Sequence, residues 1–482
     1  MESTNIKLFI NNEWVDGEKG SVLPVENPST QEIIGTVAQG TRRDAQRALE
    51  AAQTAFETWS KTTGEQRSFL LKKAAEIVLS RQDELARLLT AEHGKPLNEA
   101  QGEVKGSANY LIYYAEEAKR INGEIAPSKS ATSRSLIFKQ PRGVVAAIAP
   151  WNYPIALMMW KVAPALAAGC TVVVKPPAIT PLATTLFTAA IAEAGFPAGV
   201  INVINGPSGE VGEELITNPI TKVIGFTGST ATGAHIASKA APGFKKLILE
   251  LGGHTPMIIF KDADINKAVA DGVKRSFRNM GQICNAVNRI YVENEIADEF
   301  ITRFVEATRK LTIGDGLKNP KVDLGPMTSN DGVAHTQKQV DDAVAKGAKL
   351  LCGGKRPKIV NLPGGYFYEP TAVTNVQPDM AVMNEETFGP LVGIDTFHGV
   401  DEALNKANST RYGLVSYVYT NDLRTAFKMM EGIQSGTVAI NNISPDSLYA
   451  PYPAWKDSGI GLELGRFGLD EYLQVKHCIL EL

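Results

Sequence analysis

Disulfide frameworks, zinc knuckles and secretion signals leave marks that this chain does not carry. Its four cysteines, at positions 170, 284, 352 and 478, lie far apart with no paired spacing, which argues against a cystine-stapled or zinc-bound fold and suits a reducing compartment. The N-terminal stretch Met-Glu-Ser-Thr-Asn-Ile-Lys has neither a basic nor an apolar segment, so no secretory leader is expected. Apolar runs such as Gly143–Pro150 break well short of the roughly 20 residues that span a bilayer. Charge of one sign is missing too. With 49 basic and 52 acidic residues the net charge is −3, and nothing offers a surface to nucleic acid or to an anionic membrane. Repeats and low-complexity tracts are also absent. The expectation is a cytoplasmic protein that acts on small soluble molecules, without a metal site.

What the chain does have is length and alternation. Its 482 residues, 44% hydrophobic, are enough for more than one core. From about 143 to 260, short β-branched runs (Val144–Ile148, Thr171–Val174, Ile201–Val203, Val223–Phe226, Leu247–Leu251 and Met257–Phe260) alternate with helical patterns. Such runs read as βαβ units of a buried parallel sheet in a nucleotide-binding style of architecture. Arg43–Trp59, Gln66–Thr90 and Asn98–Lys119 read as helices that cover it. A second alternation over 262–440 predicts a second α/β domain, with helices at 296–310, 331–347 and 400–408. Residues 120–142 read as an exposed hairpin and Glu471–Leu482 as a terminal strand with an edge that another subunit could cover, so an oligomer is expected.

Several motifs carry chemistry. Cys284, in Ser276-Phe-Arg-Asn-Met-Gly-Gln-Ile-Cys284, offers a thiol that can add to a carbonyl, and Glu250, in Leu249-Glu-Leu-Gly-Gly253, a carboxylate that can activate the water for release. Taken alone, each of the four cysteines could instead be a small buried apolar residue. Val223–Gly233 runs from a strand through Gly228 and Ser229 into a helix starting near Thr230. Its glycine and free N–H groups suit a phosphate, although an ordinary strand-to-helix turn has the same pattern. Lys175 ends a strand before two prolines, where it could reach a ribose or phosphate or simply cap the strand. Asn152, in Pro150-Trp-Asn-Tyr-Pro154, could donate to an oxyanion or serve only the turn.

Six motifs together, Pro150-Trp-Asn-Tyr-Pro154, Val174-Lys-Pro176, Phe226-Thr-Gly-Ser229, Leu249-Glu-Leu-Gly-Gly253, Gly281-Gln-Ile-Cys284 and Glu386-Thr-Phe-Gly-Pro390, resemble the aldehyde dehydrogenase superfamily in order and spacing over nearly the whole chain. The resemblance implies an α/β fold with an open parallel-sheet cofactor domain (1–119 and 143–253), a catalytic thiol domain (254–440) and a small oligomerisation arm (120–142 and 460–482), assembled as a homodimer or homotetramer. It implies oxidation of an aldehyde to its acid with NADP or NAD. Cys284 would be the nucleophile, Asn152 with the Cys284 N–H the oxyanion donors, and Glu250 the base. Cofactor contacts would come from Trp151, Lys175, Ala178, Gly209, Gly228, Ser229, Leu251, Glu386 and Phe388. Members that use NAD often have Glu where this chain has Ala178, so NADP is expected to be accepted.

Within the superfamily the thiol segment is most similar to succinate-semialdehyde dehydrogenases, in which an Arg at the place of Arg278 holds the substrate's remote carboxylate. Three positions depart from that pattern. Trp160 stands where a second arginine is usual, Ala286 where a second cysteine is found, and Pro453-Ala-Trp-Lys-Asp-Ser-Gly459 replaces a Gly-Gly-x-Lys-x-Ser-Gly run. A remodelled mouth follows, in which Trp160, Tyr449, Tyr452 and Trp455 could form an aromatic pocket, or His254 and Ser447 could help to hold another anion such as a sulfonate. Sulfolactaldehyde, lactaldehyde, glyceraldehyde and aliphatic aldehydes are the alternative substrates. The non-enzymatic alternative is a catalytically silent relative, against which the presence of Cys284, Glu250 and Asn152 together argues.

Overall fold

The computed structural model describes residues 4–359, 362 and 364–482; the first three residues of the N-terminal stretch lie outside them. Helix Arg42–Trp59 opens the covering layer. Thr41 and Asp44 cap its start reciprocally, and buried Ala45, Ala48, Leu49, Ala52, Ala55 and Trp59 recur at helical spacing along one face. The expected helix 66–90 is two helices, Gly64–Ser80 and Gln82–His93, broken at Arg81 (φ −107°, ψ 15°). No Gly or Pro marks that break. The guanidinium of Arg81 pairs instead with Glu193, a partner remote in sequence. Helix Leu97–Ala118 completes the layer.

The first sheet has eight strands, in the spatial order Gly459–Ile460, Lys246–Glu250, Thr221–Thr227, Val144–Ile148, Thr171–Lys175, Ile201–Val203, Leu8–Ile10 and Glu13–Val15. The five strands from Lys246–Glu250 to Ile201–Val203 are parallel. Chain order runs outward in both directions from Val144–Ile148, so a switch point lies between that strand and Thr221–Thr227. Open α/β sheets bind ligands outside the carboxyl ends of their strands at such a point.

The run at 257–260 does not extend this sheet. Strand Thr255–Ile259 lies in a second, seven-stranded sheet with Val287–Glu293, Leu391–Phe397, Val415–Tyr419, Thr437–Ile440, Thr371–Thr374 and the antiparallel Lys349–Cys352. Four residues separate it from Lys246–Glu250, and parallel neighbours need a crossover of a dozen or more. Residues 251–254 therefore cross from one sheet to the other. The expected helices at 296–310, 331–347 and 400–408 are Ala297–Thr308, Asn330–Ala345 and Gly399–Asn408.

The segment 120–142 forms strands Glu124–Ala126 and Ser133–Pro141, and the terminal strand Leu473–Glu481 pairs with the latter from Leu473↔Pro141 to Glu481↔Ser133. Leu473–Glu481 is one of the two edge strands of this small sheet, Glu124–Ala126 being the other. Gly459–Ile460, at the start of the stretch expected in the arm, pairs instead with Leu249 and Glu250.

The crossing segment is tight. A Cβ on Gly253 would stand 2.0 Å from the Cys284 carbonyl oxygen, and one on Gly252 would stand 2.9 Å from Glu386 Oε2. Because the nearest obstacle to Gly253 is main chain, Gly253→Ala is expected to destabilise the protein by about 1–3 kcal/mol. It should also shift the Cys284 loop, read as a lowered unfolding midpoint in denaturant together with an altered rate of Cys284 thiol labelling.

Candidate active site

The carboxyl ends of the first sheet's strands supply one wall of a cleft, and the loops leading into the second sheet supply the other. A cavity of about 480 Å³ is lined by Trp151, Asn152, Lys175, Ala178, Ser208, Gly228, Ser229, Glu250, Leu251, Cys284, Glu386 and Phe388, among others. Of the residues expected at the cofactor, only Gly209 is not among its lining; its neighbour Ser208 is. A second cavity of about 230 Å³ meets the first at Asn152 and Cys284, and is lined also by Tyr110, Tyr153, Trp160, Arg275, Arg278 and Asp446. The thiol therefore stands where two cavities join.

Cys284 sits on an unusual turn. Asn279, Met280 and Gly281 are all left-handed (φ 52°, 58° and 67°), and a Cβ on Gly281 would stand 2.2 Å from the Gly389 carbonyl. Two non-glycine residues held in that region cost free energy, as backbone at functional sites often does. The turn locks the thiol loop onto the Glu386–Pro390 loop. Asn279 Nδ2 bonds the Asn152 carbonyl at 3.3 Å, and the Asn152 side-chain amide donates to Gln282 O at 3.0 Å while the residue lines both cavities.

Glu250 is buried, and among the described residues neither of its oxygens accepts a hydrogen bond. Burial raises its carboxyl to about 7 despite the neighbouring Cys284 thiol, which favours the charged form. Burial likewise holds the Cys284 thiol well above its ordinary value, and Glu250 adds to the effect. The two groups cannot both be charged at low cost, so proton exchange between them is the natural chemistry of the pair. Deeper in the wall, buried Lys161 Nζ donates to Thr227 Oγ1 at 2.6 Å and to Glu463 Oε1 at 2.7 Å.

The larger cavity suits a dinucleotide. Lys175 brings a buried amine lowered to about 8 by desolvation, and helix Thr230–Ala240 turns its N-terminal N–H groups toward the cleft behind Ser229. Glu386, raised to about 7 by burial, accepts from Gly253 N–H at 2.9 Å through Oε1. Phe388 (φ 44°) stands edge-on to Trp151 with ring centroids 5.4 Å apart. These groups fit ribose hydroxyls, a pyrophosphate and a flat ring. Among the described residues no cluster of His, Cys, Asp and Glu could hold a metal, and no helix is long and apolar enough to cross a membrane.

The smaller cavity corrects part of the sequence reading. Arg278 and Trp160 line it, whereas Ser447 does not; Asp446 takes that place. Of the aromatics, Tyr452 is buried behind Trp160 (centroids 5.2 Å apart), while Tyr449 and Trp455 are exposed outside the lining. His254 is buried, its ring Nε2–H donating to Val382 O at 3.1 Å, and lines neither cavity. Loop position cannot be read from residue type, which is why the 444–455 segment misled. The departure at 453–459 keeps one working group: Ser458 Oγ donates to Gly252 O at 2.7 Å and steadies the crossing segment. Arg275, absent from the sequence reading, donates to Tyr417 Oη at 2.7 Å and to Asn285 O at 3.3 Å, bracing the chain just past the thiol.

A cofactor-sized cleft lined by both a thiol and a carboxylate whose oxygens are unbonded among the described residues is the arrangement of an α/β enzyme. The chain belongs to the aldehyde dehydrogenase family, whose sequence profile matches residues 14–478. It is 42% identical to a glutarate-semialdehyde dehydrogenase of Pseudomonas putida over 98% of this chain and 97% of that one. It is 40% identical to a succinate-semialdehyde dehydrogenase [NADP(+)] of Escherichia coli (98% and 97%) and to a 3-sulfolactaldehyde dehydrogenase of Pseudomonas putida (98% and 96%). A crystal structure described as an Escherichia coli NADP-dependent enzyme superposes with a TM-score of 0.97 at 40% identity, covering 99% of this chain and 98% of that one.

The raised carboxyl of Glu250 sets a pH expectation. A carboxyl raised to about 7 can take up a proton only above that value, where it is charged. Aldehyde oxidation by the wild type should therefore rise about tenfold per pH unit below 7 and flatten above it, and Glu250→Gln should abolish that limb in initial rates measured from pH 5.5 to 8.5.

Proposed function

We propose that this aldehyde dehydrogenase oxidises a short aldehyde with an anionic tail, of the succinate- or glutarate-semialdehyde kind, with NADP or NAD. The observation that carries this reading is Arg278, which shares a cavity of about 230 Å³ with Cys284. The guanidinium is steadied by Glu99, 3.6 Å away, and by the face of Tyr153, 5.6 Å from its ring centroid. Those contacts leave N–H groups for a two-pronged bond to a carboxylate. Trp160, Tyr110 and Tyr153 give the aliphatic stem an apolar wall.

The site residues then have these roles. Glu250 takes the proton of Cys284 as the sulfur adds to the aldehyde carbon, and the Asn152 amide with the Cys284 N–H holds the oxyanion of the thiohemiacetal. Bound nicotinamide supplies the hydride acceptor. Loss of hydride leaves a thioester on Cys284. Glu250, freed of its proton, then draws one from water, which attacks the acyl carbon, and the acid departs as the thiol is restored. Lys175, Ser229 and the start of helix Thr230–Ala240 hold phosphate and ribose, and Glu386 with Phe388 places the ring end. The first sheet and its helices serve as the cofactor unit, the second sheet as the thiol unit.

Asp446 favours a second reading of the tail. A carboxylate lining the same cavity as Arg278 is repelled by a simple dicarboxylic semialdehyde but accepts a hydrogen bond from a tail hydroxyl, as in a hydroxy- or sulfo-hydroxyaldehyde such as sulfolactaldehyde. The arm supports self-association into a homodimer or homotetramer: Ile125, Phe138, Val475 and Ile479 are exposed on a small sheet whose terminal strand Leu473–Glu481 lies at the edge.

Two substitutions test the reading in a 340 nm assay. Arg278→Met should lower kcat/KM for succinate semialdehyde by about 100-fold, in line with a lost charge-assisted pair, and alter propanal oxidation only a few-fold; equal losses on both substrates would place the anion elsewhere. Ala178 leaves no carboxylate against a 2′-phosphate, so NADP should be used at least as well as NAD. Ala178→Glu should shift the kcat/KM ratio toward NAD by about tenfold or more.

A further inference from the structure

Beneath the cleft lies a buried ion pair with no part in the chemistry so far. Lys95 and Glu103 have fully buried side chains, with Nζ 2.5 Å from Glu103 Oε2. Lys95 Nζ also donates to the Asn152 main-chain carbonyl at 2.7 Å and stands 3.8 Å from the centre of the Tyr153 ring. The second oxygen of Glu103 accepts from Ile155 N–H (2.9 Å) and Ala156 N–H (3.2 Å). Those N–H groups open helix Pro154–Ala168, whose own N-cap residue gives no side-chain bond. The pair thus grips the turn Asn152–Ala156 at both ends.

The pair itself is anchored. Lys95 leaves a turn in which Gly94 is left-handed (φ 94°) and a Cβ would stand 2.6 Å from Pro326. Thr328 Oγ1 donates to His93 O at 3.0 Å, and Thr328 N–H donates at 3.1 Å to the side chain of Gln282, whose main-chain carbonyl orients the Asn152 amide. The main chain and the side chain of Asn152 are therefore fixed from one scaffold. A fully buried lysine held between a carboxylate and a carbonyl is an expensive way to stabilise a turn, since well-packed apolar residues often do as well; it is an effective way to fix an atom.

We propose that Lys95, braced by Glu103, is a positioning residue for the reaction: it fixes the Asn152 carbonyl so that the side-chain amide meets the developing oxyanion at Cys284. This rests on Asn152 acting as an oxyanion donor, as proposed above. Displacements of the order of 1 Å at such a group cost about 100-fold, so a loss of that size in kcat is expected without loss of cofactor binding.

The test is a cycle of full-length variants: Asn152→Ala, Lys95→Met, the two combined, and Lys95→Met with Glu103→Gln. The last removes both charges and keeps an acceptor for Ile155 and Ala156 N–H, which protects folding. Expected are a kcat for Lys95→Met reduced about 10- to 100-fold, NADP affinity within about twofold of wild type, and no more than a twofold further loss when Lys95→Met is added to Asn152→Ala. Lys95→Met with Glu103→Gln should regain the wild-type unfolding temperature and keep the low kcat. Multiplicative losses in the combined variant, wild-type kcat in Lys95→Met, or recovery of kcat together with unfolding temperature would each overturn the proposal. Wild-type kcat in Asn152→Ala would remove the oxyanion reading and the positioning role with it, whereas a loss in Asn152→Ala alone would reject only the role of Lys95.

Discussion

The site depends on four residues, 251–254, that carry the chain from one sheet to the other. Glu250 ends the last of the first sheet's parallel strands, and Thr255 begins a strand of the second. Between them the backbone passes against Cys284 at a distance that only glycine allows at 253, and against the Glu386 carboxylate at 252. The Gly253 N–H is used on Glu386 and the Gly252 carbonyl on Ser458. One short segment thus runs beside the Glu250 carboxylate, the Cys284 loop and the Glu386 carboxylate. The segment continues directly from Glu250, its Gly253 lies against the Cys284 carbonyl, and its Gly253 N–H holds Glu386.

Around this crossing the fold keeps ionisable groups away from their ordinary behaviour. Burial raises Glu250 and Glu386 to about 7 and lowers Lys175 to about 8. Perturbation by desolvation within a cleft is what proton-transfer chemistry near neutral pH requires. The buried pairs Lys95–Glu103 and Lys161–Glu463 place each lysine between its carboxylate and nearby oxygens, although Glu463 Oε2 is left unbonded among the described residues. Of these four carboxylates, Glu250 alone has both oxygens unbonded among the described residues.

How much of this was legible in the sequence follows from which physical signals are local. Strand ends are local, so Asn152, Lys175, Ser229 and Glu250 could be placed at one sheet edge from apolar runs and the residues after them. Cys284 and Glu386 rest on motif resemblance, and the structure brings them to the same cleft. The crossing was readable in principle: strands four residues apart cannot be parallel neighbours. Lys95, Glu103 and Arg275 carried no signal, because a buried charge is recognisable only from partners 8 to 57 positions away or in other elements. The loop 444–455 failed for a related reason. Aromatic and polar residues in a loop face the cavity or solvent according to its path, so Asp446 rather than Ser447 lines the pocket.

The central claim is that Cys284 carries the acyl group and Glu250 releases it. The most direct measurement mixes Glu250→Gln with an aldehyde and NADP, follows reduced cofactor in the first turnover, and examines the Cys284 peptide by mass spectrometry. Because Glu250 is also the base for Cys284, the account predicts that reduced cofactor forms more slowly than in the wild type, reaches about one equivalent per active site and then nearly stops, with the acyl mass on Cys284. Rapid steady turnover with no adduct, or an adduct on another residue, would contradict it.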